Sequence, residues 1–566
     1  MQSSRQSYRG HRCAAGFVWM ALLACAATVS EPAAAQQAPA TNRIKRTSPP
    51  LSPQRVAAMS AAAMPAAAVA LAAYPLSDTF KLHSSPTSTK VIYLDFDGHT
   101  TTGTAWNSGS TAITTSPFSF EGDATFSNNE LTRIQEIWER VSECFSPFNV
   151  DVTTQAPTVA DLLNTGGADT RWGIRVATGG ASPSPAPGAG GVAFVDAFGW
   201  NYGTGYDTPA FVFSAALSNS AKYVADAIVH EVGHTLGLDH DGRVSPAEEY
   251  YSGHGTGATG WAPQMGASYY KPLVQWSKGE YLSASNKEDD LVLITTRNGF
   301  GFRTDDFPNS LTTAPLISGA VVSGLFTVSQ YGVIEQRTDS DWFKIIAGAG
   351  TISLTAVGRS VNTMLDIRMD LYNSSGTLVA TSNSATSVTA ALTATVAAGT
   401  YYVKIDGVGM GDPLSTGYTD YGSLGRYRIS GSYPPTSNVT AAYNATTKVL
   451  TLTGNAAANS VTVAVQQNGT ITVTGGTGTM INGTASFVVA TTGRVGLTAT
   501  LGDGNDSLVV TGMLAATMNI SLGAGTDSLQ LNLCDISSLI LDGGAGTDTY
   551  TYTTSTIAQK TVTGVP

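Results

Sequence analysis

Charge is scarce in this sequence. Only 13% of its 566 residues are Asp, Glu, Lys or Arg, whereas glycine alone contributes 60. That balance belongs to β-rich, turn-rich, extracellular chains rather than to helical cytosolic ones. The charge that exists leans acidic, with a net −11 at pH 7, which argues against nucleic acid or an anionic membrane as the main partner. Cysteine is scarcer still. Of four, Cys13 and Cys25 lie near the N-terminus, and Cys144 and Cys534 stand in distant parts of the chain, so no disulfide between them is expected. The apolar stretch Ala14 to Val29 falls short of the roughly 20 residues that cross a bilayer, so no integral membrane span is expected. Histidine is sparse too, seven in all, yet three of the seven fall between His230 and His240.

The length is enough for about three or four domains. Residues 1–35 read as a signal peptide. Arg5, Arg9 and Arg12 precede the apolar stretch, and Ala33-Ala34-Ala35 offers a small-residue cleavage site before Gln36. The expectation is a secreted, extracellular protein. The alternative is a lipid anchor through Cys25, because Leu22-Leu23-Ala24-Cys25 resembles a lipoprotein cleavage box. Residues 36–89 are rich in Ala, Pro and Ser and carry too little apolar surface to offset their ordering entropy. They read as a propeptide or a disordered linker.

The stretch His230-Glu231-Val232-Gly233-His234-Thr235-Leu236-Gly237-Leu238-Asp239-His240-Asp241 carries the chemistry. On a helix, positions i and i+4 share a face, so His230 and His234 project together. Glu231 can reach a water at a metal held by them. Gly237 stands where the helix needs a left-handed residue to stop, and the turn brings His240 to the same ion. Three neutral imidazoles leave one zinc position open, as catalytic sites do. The pattern resembles the zinc signature of the metzincin metallopeptidases, with every motif position filled. Asp241 points to the adamalysin-type branch, and Leu238-Asp239-His240 to matrixins. Met265, 25 residues beyond His240, resembles that family's methionine turn and would support the histidines by packing. Two accessories of the family are missing. Residues 36–89 hold no cysteine to silence the zinc, which leaves His83 and Asp78 as the candidate latency ligands. Ala267 stands where some members place a zinc-binding tyrosine, with Tyr269 and Tyr270 out of register.

Around this motif, residues 90–302 are expected to form an α+β metzincin-like catalytic domain. Val91-Ile92-Tyr93-Leu94-Asp95-Phe96-Asp97 reads as its first buried strand. The same run resembles the nucleophile strand of haloacid-dehalogenase-like phosphatases, although export and the lack of repeated βα units favour a plain strand. Leu131, Ile134, Ile137, Trp138 and Val141 recur at helical spacing behind Ser127 and Asn128, either of which can cap. The active-site helix should bury Tyr223, Val224, Ala227 and Ile228 and leave His230 and His234 to the cleft. Gly190 to Phe198 reads as a strand, and the resemblance places it at the sheet edge above that cleft, where an extended substrate can add. His254 reads as a loop histidine.

Residues 303–433 alternate like antiparallel strands and resemble the bacterial pre-peptidase C-terminal domain, an all-β sandwich. Residues 434–566 contain a repeat in which Gly502-Asp503-Gly504, Gly523-Ala524-Gly525 and Gly544-Ala545-Gly546 start 21 residues apart, with a vaguer copy at Asn482 to Phe487. Each resembles the calcium-binding β-roll nonapeptide. The expected fold there is a β-solenoid, with Asp506, Asp527 and Asp548 as candidate calcium ligands or as plain Gly-Asp turns. The whole chain is thus expected to be multidomain: an α+β catalytic domain, a β-sandwich and a C-terminal β-solenoid-like region. What the resemblance implies is a secreted zinc-dependent endopeptidase that hydrolyses proteins or peptides through a zinc-activated water, with Glu231 as base and Ca2+ as the candidate second ion. The alternative is an adhesive or matrix-binding protein with a vestigial peptidase domain. Oligomeric state is not legible.

Overall fold

The computed structural model describes residues 45–52, 74–107, 111–122, 125–201, 205–322, 325–359, 363–476, 478–482 and 484–565. The expected signal peptide, with Cys13 and Cys25, lies outside the described residues.

The first unit is built on a six-stranded sheet. Its strands are β1 (Lys45–Ser48), β2 (Lys90–Asp95), β3 (Asp151–Thr153), β4 (Trp172–Gly179), β5 (Gly191–Phe194) and β6 (Ala210–Phe213), in the spatial order β1-β5-β6-β4-β2-β3. Strands β3, β2, β4 and β6 run parallel, whereas β5 is antiparallel to both β6 and β1. The period of two along β2 sends Ile92 and Leu94 into the main core and Val91 and Tyr93 into a small cluster with Leu162. Helix α1 (Asn128–Cys144) covers the main-core face with Ile134, Ile137, Trp138 and Val141, all buried as their spacing predicts. Ser127 caps it in a reciprocal box with Glu130.

Helix α2 (Ala221–Thr235) carries the histidine motif. Sequence periodicity predicts one buried side and one open side, and the structure departs from this. Val224 through Thr235 is buried all round, His230 and His234 included, because α1 and the sheet cover one side and other chain segments cover the motif. A helix buried on every side lies inside a domain rather than along its surface.

Part of the stretch expected as a propeptide or linker is ordered. Residues 45–48 form β1, and residues 76–81 make a 3-10 turn against α1. His83 bonds Asp151 at 2.6 Å and Gln155 at 2.9 Å, at β3, the sheet edge opposite β1. Asp78 pairs with Lys81 at the surface. Neither reaches the histidine motif, so both latency ligands named from the sequence are set aside: strand order puts the width of the sheet between them and α2.

The next unit is an antiparallel sandwich. Strands Gly319–Val322, Leu325–Ile334, Gly425–Tyr433, Gly350–Gly358 and Ala390–Val396 form one sheet, and Ser340–Ala347, Gly399–Gly407, Ile367–Asn373 and Leu378–Ser382 the other. It is not a loose appendage. Its core residues Ile345, Leu354 and Val403 belong to one continuous apolar cluster with Trp138 and Ile228. Glu143, at the end of α1, accepts the Arg426 backbone N–H at 3.0 Å, and Arg359 pairs with Glu139 at 2.6 Å. His254 bonds Tyr251 and the Gly417 carbonyl, a loop histidine that clamps the two units.

The last unit is a two-sheet solenoid with its own core. Leu508 lies opposite Leu529, and Leu529 opposite Tyr550. A Cβ on Gly523 would fall 1.6 Å from the Gly502 carbonyl oxygen of the preceding coil, which explains the glycine in each repeat. The vaguer copy at Asn482 follows Thr479–Ile481, which pairs parallel with Ser437–Val439, and precedes Ser486–Ala490, which pairs antiparallel with Thr470–Thr474, so it lies outside the parallel register of the three repeats. Cys144 and Cys534 are buried and form no disulfide. Among the described residues no helix is long and apolar enough to cross a membrane.

Candidate metal centre

The end of α2 sets the geometry. The helix closes at Leu236, and Gly237 takes φ +99°, a conformation that favours glycine. A Cβ there would also stand 2.5 Å from Asp196 Oδ1. The reversal folds Leu238 back so that its carbonyl lies 2.8 Å from His234 Nδ1. His230 Nδ1 points at the Gln264 carbonyl, 3.3 Å away, and His240 Nδ1 lies 3.2 Å from Glu249 Oε1. Carbonyl and carboxylate oxygens only accept, so each Nδ1 carries the proton and each Nε2 keeps a lone pair.

Those lone pairs converge. His234 and His240 Nε2 face each other at 3.1 Å, and buried His230 Nε2 has no hydrogen-bond partner. A tetrahedral cation with arms of about 2.0–2.1 Å to imidazole nitrogen requires nitrogens roughly 3.3 Å apart. Two facing lone pairs repel unless a cation lies between them, so the donor set fits a metal. Burial pushes all three imidazoles down, His230 to about 3, and holds them in the neutral form that a metal requires. The three form one of the groups of clustered ligand atoms among the described residues.

The floor is packed by the turn containing Met265, which is fully buried. Its backbone oxygen accepts from Asp241 N at 3.0 Å. A Cβ on Gly233 would lie 2.4 Å from Met265 Sδ, so the turn presses on the helix between the two motif histidines. Glu231 is buried beside His230, and burial raises its carboxyl well above the usual range. Its Oε1 accepts the Ser48 backbone N–H at 2.6 Å, while Oε2 has no partner. Gly191 of β5 leaves room for this side chain, since a Cβ there would approach Oε1 to 2.8 Å.

Sequence reasoning missed two parts of the site. One is Tyr250, whose ring lies 4.4 Å from that of His240 and whose hydroxyl donates to the Thr47 carbonyl at 2.9 Å. A tyrosine ten positions past the third histidine carries no periodic signal; only the loop path brings it in. The other is β1 itself. Its Arg46 pairs with Asp239 at 2.9 Å, beside the motif. Tyr269 and Tyr270, out of register for a metal, hold the chain after β1 by contacts to the Pro49 carbonyl and the Ser52 N–H.

The remaining motifs lie elsewhere. Asp95 is not free for phosphate chemistry. It pairs with Arg175, which also holds Asp207 at 2.9 Å, and burial raises its carboxyl to about 7. Asp506, Asp527 and Asp548 stack one coil apart. Asp527 Oδ1 accepts the Asp506 N–H at 2.7 Å, and Asp548 Oδ1 the Asp527 N–H at 2.9 Å. Their Oδ1 atoms form a backbone-capping ladder, each Oδ2 is buried without a hydrogen-bond partner, and the three are not among the clustered ligand groups of the described residues. Clustered carboxylates occur instead in the sandwich, at Asp305, Asp306, Glu335, Asp339 and Asp341.

No protein-family model matches the chain, and no curated protein matches it. Among solved structures, the pre-peptidase C-terminal domain of a collagenase from Bacillus anthracis is similar over 21% of this chain and 90% of that one, with 13% identity and a TM-score of 0.14.

Proposed function

We propose that the chain is a metzincin-type, zinc-dependent endopeptidase acting outside the cell on extended protein or peptide substrates. The observation that carries this reading is the set of three neutral imidazoles whose Nε2 atoms converge beside a buried carboxylate. His230, His234 and His240 would hold the ion. When bound, zinc would supply a Lewis acid and bring the pKa of a water there toward about 7.

The chain's own residues do the rest. Glu231 has one oxygen, Oε2, without a partner, and this oxygen takes the proton of the attacking water. The same Oε2 then gives that proton to the departing amine, while Oε1 stays placed against a backbone nitrogen. Tyr250 donates to the carbonyl oxygen as it gains charge. Strand β5 binds the substrate backbone by edge addition, which gives affinity without strong dependence on side chains. Met265 and Gly233 keep the two motif histidines at fixed separation.

The test is Glu231→Gln. Zinc content measured by mass spectrometry should match the parent, whereas casein digestion should be abolished and the parent's digestion should stop in a zinc chelator. A Glu231→Gln chain that digests casein as well as the parent refutes the reading. Zinc-loaded parent that binds a surface polymer and cuts nothing would favour the adhesive alternative.

A further inference from the structure

One peptide bond of this chain is held at the proposed catalytic centre by both of its ends. The carbonyl oxygen of Thr47 accepts from the Tyr250 hydroxyl at 2.9 Å. The nitrogen across the same bond, in Ser48, donates to Glu231 Oε1 at 2.6 Å. These are the contacts that the scissile amide of a substrate requires: a donor at the oxygen that gains charge and an acid at the nitrogen that leaves.

The flanking residues are held in register. Lys45 to Ser48 pair antiparallel with Phe194 to Gly191 of β5, so β1 occupies the edge an extended substrate would use. On the upstream side, the Lys45 ammonium lies 4.7 Å from the Trp106 ring centre and Arg46 pairs with Asp239. On the downstream side, the Pro49 carbonyl accepts from Tyr269 at 3.1 Å and Leu51 packs against the main core. Ser48, at the join, is 0% exposed. Contacts on both sides of a single bond distinguish a substrate-like strand from a surface segment that happens to pack nearby.

Resting on the peptidase reading, we propose that Lys45–Ser52 fills the cleft as the chain's own first substrate, and that Thr47–Ser48 is the bond the enzyme cuts to open its site. Hydrolysis adds the water's hydroxyl to the Thr47 carbonyl carbon and breaks the bond from that carbon to the Ser48 nitrogen. The remaining proton passes through Glu231 to that nitrogen. The products are a Thr47 carboxylate and a chain beginning at Ser48. Until the cut, the strand excludes other substrates from β5.

The experiment uses the full chain and has two readouts. Without zinc, the amides of Gly190–Phe194 that face β1 should be protected from hydrogen exchange. Arg46→Glu sets like charges against Asp239 and should speed their exchange by about tenfold or more. After zinc addition, N-terminal sequencing and intact mass should give a new terminus at Ser48. Glu231→Gln should give none, and Ser48→Pro, which lacks the N–H facing Glu231, should stay whole at that bond. Parent amides that exchange as an uncovered edge overturn the strand. A new terminus elsewhere, in chain that digests casein, overturns the cut site and leaves the peptidase reading standing. Protected edge amides with neither self-cleavage nor casein digestion overturn the peptidase reading and the cut together.

Discussion

Tyr250→Phe isolates the hydroxyl that sequence reasoning missed. The ring packs at a tilt with its centre 4.4 Å from that of His240, and phenylalanine keeps that packing, so the fold and the histidine geometry should persist. What is lost is one donor, 2.9 Å from the carbonyl oxygen of the bound strand. Removing a single donor of this kind costs about 10²–10³ in kcat. The low end applies here, because the metal would share the developing charge and Tyr250 is only half-buried. The expected loss is therefore about 10²-fold in kcat, or about 2.7 kcal/mol of transition-state stabilisation, with KM changed little. Tyr270→Phe is the control. Its hydroxyl meets the Ser52 N–H, away from the reacting bond, so its loss should raise KM and spare kcat. The assay is steady-state cleavage of a quenched fluorescent peptide by the processed enzyme. A Tyr250→Phe enzyme with kcat within threefold of the parent would refute the assignment of that hydroxyl to the reacting carbonyl.

Three other outcomes follow from the geometry. Gly233→Ala should gain up to about 1 kcal/mol of helix propensity and lose about 1–3 kcal/mol to overpacking, since its Cβ would stand 2.4 Å from Met265 Sδ. Tm should fall and zinc affinity weaken by about tenfold or more in a competition titration, with partial recovery in Gly233→Ala/Met265→Ala. Asp527→Ala strips the acceptor from the buried Asp506 N–H and should cost about 1–3 kcal/mol in the solenoid's urea transition; an unchanged midpoint would count against the ladder. In the sandwich, burial and then neighbouring acids push the Glu335, Asp339 and Asp341 carboxyls up, Asp341 to about 9. Their unfolded values lie near 4, so the folded state binds more protons, and this contribution is complete below about pH 4 and lost as pH rises through about 9 for Asp341 and about 10 for Glu335. Scanning calorimetry in chelator should show the sandwich transition falling from pH 5 to pH 9, with a shallower slope in Asp341→Asn.

The elements legible in the sequence are those whose determinants are local. Ser127 and Glu130 form the cap that their spacing predicts. Gly237 takes the left-handed turn, and the three histidines meet because i, i+4 and a reversal are all that their meeting requires. The 21-residue period survives intact as solenoid register, because each coil is a local unit stacked on its neighbour. The copy at Asn482 fell outside that register because Asn turn chemistry serves a connection between two sheets as readily as a stacked repeat.

Tertiary structure decided the rest. Nothing in the spacing of Thr47 and Tyr250, 203 positions apart, indicates that they touch; strand order and the path of one loop bring them together. The same strand order carried His83 to the far edge of the sheet and left β5 open to β1. The burial of α2 on every side was likewise a property of what packs onto it, which a hydrophobic period along one helix cannot report. Sequence alone determined which residues could hold a metal, because that chemistry lies in eleven consecutive positions. Only the fold determined which peptide bond lies against it, because an edge strand pairs with whatever backbone reaches it, and backbone pairing leaves no mark on side-chain pattern.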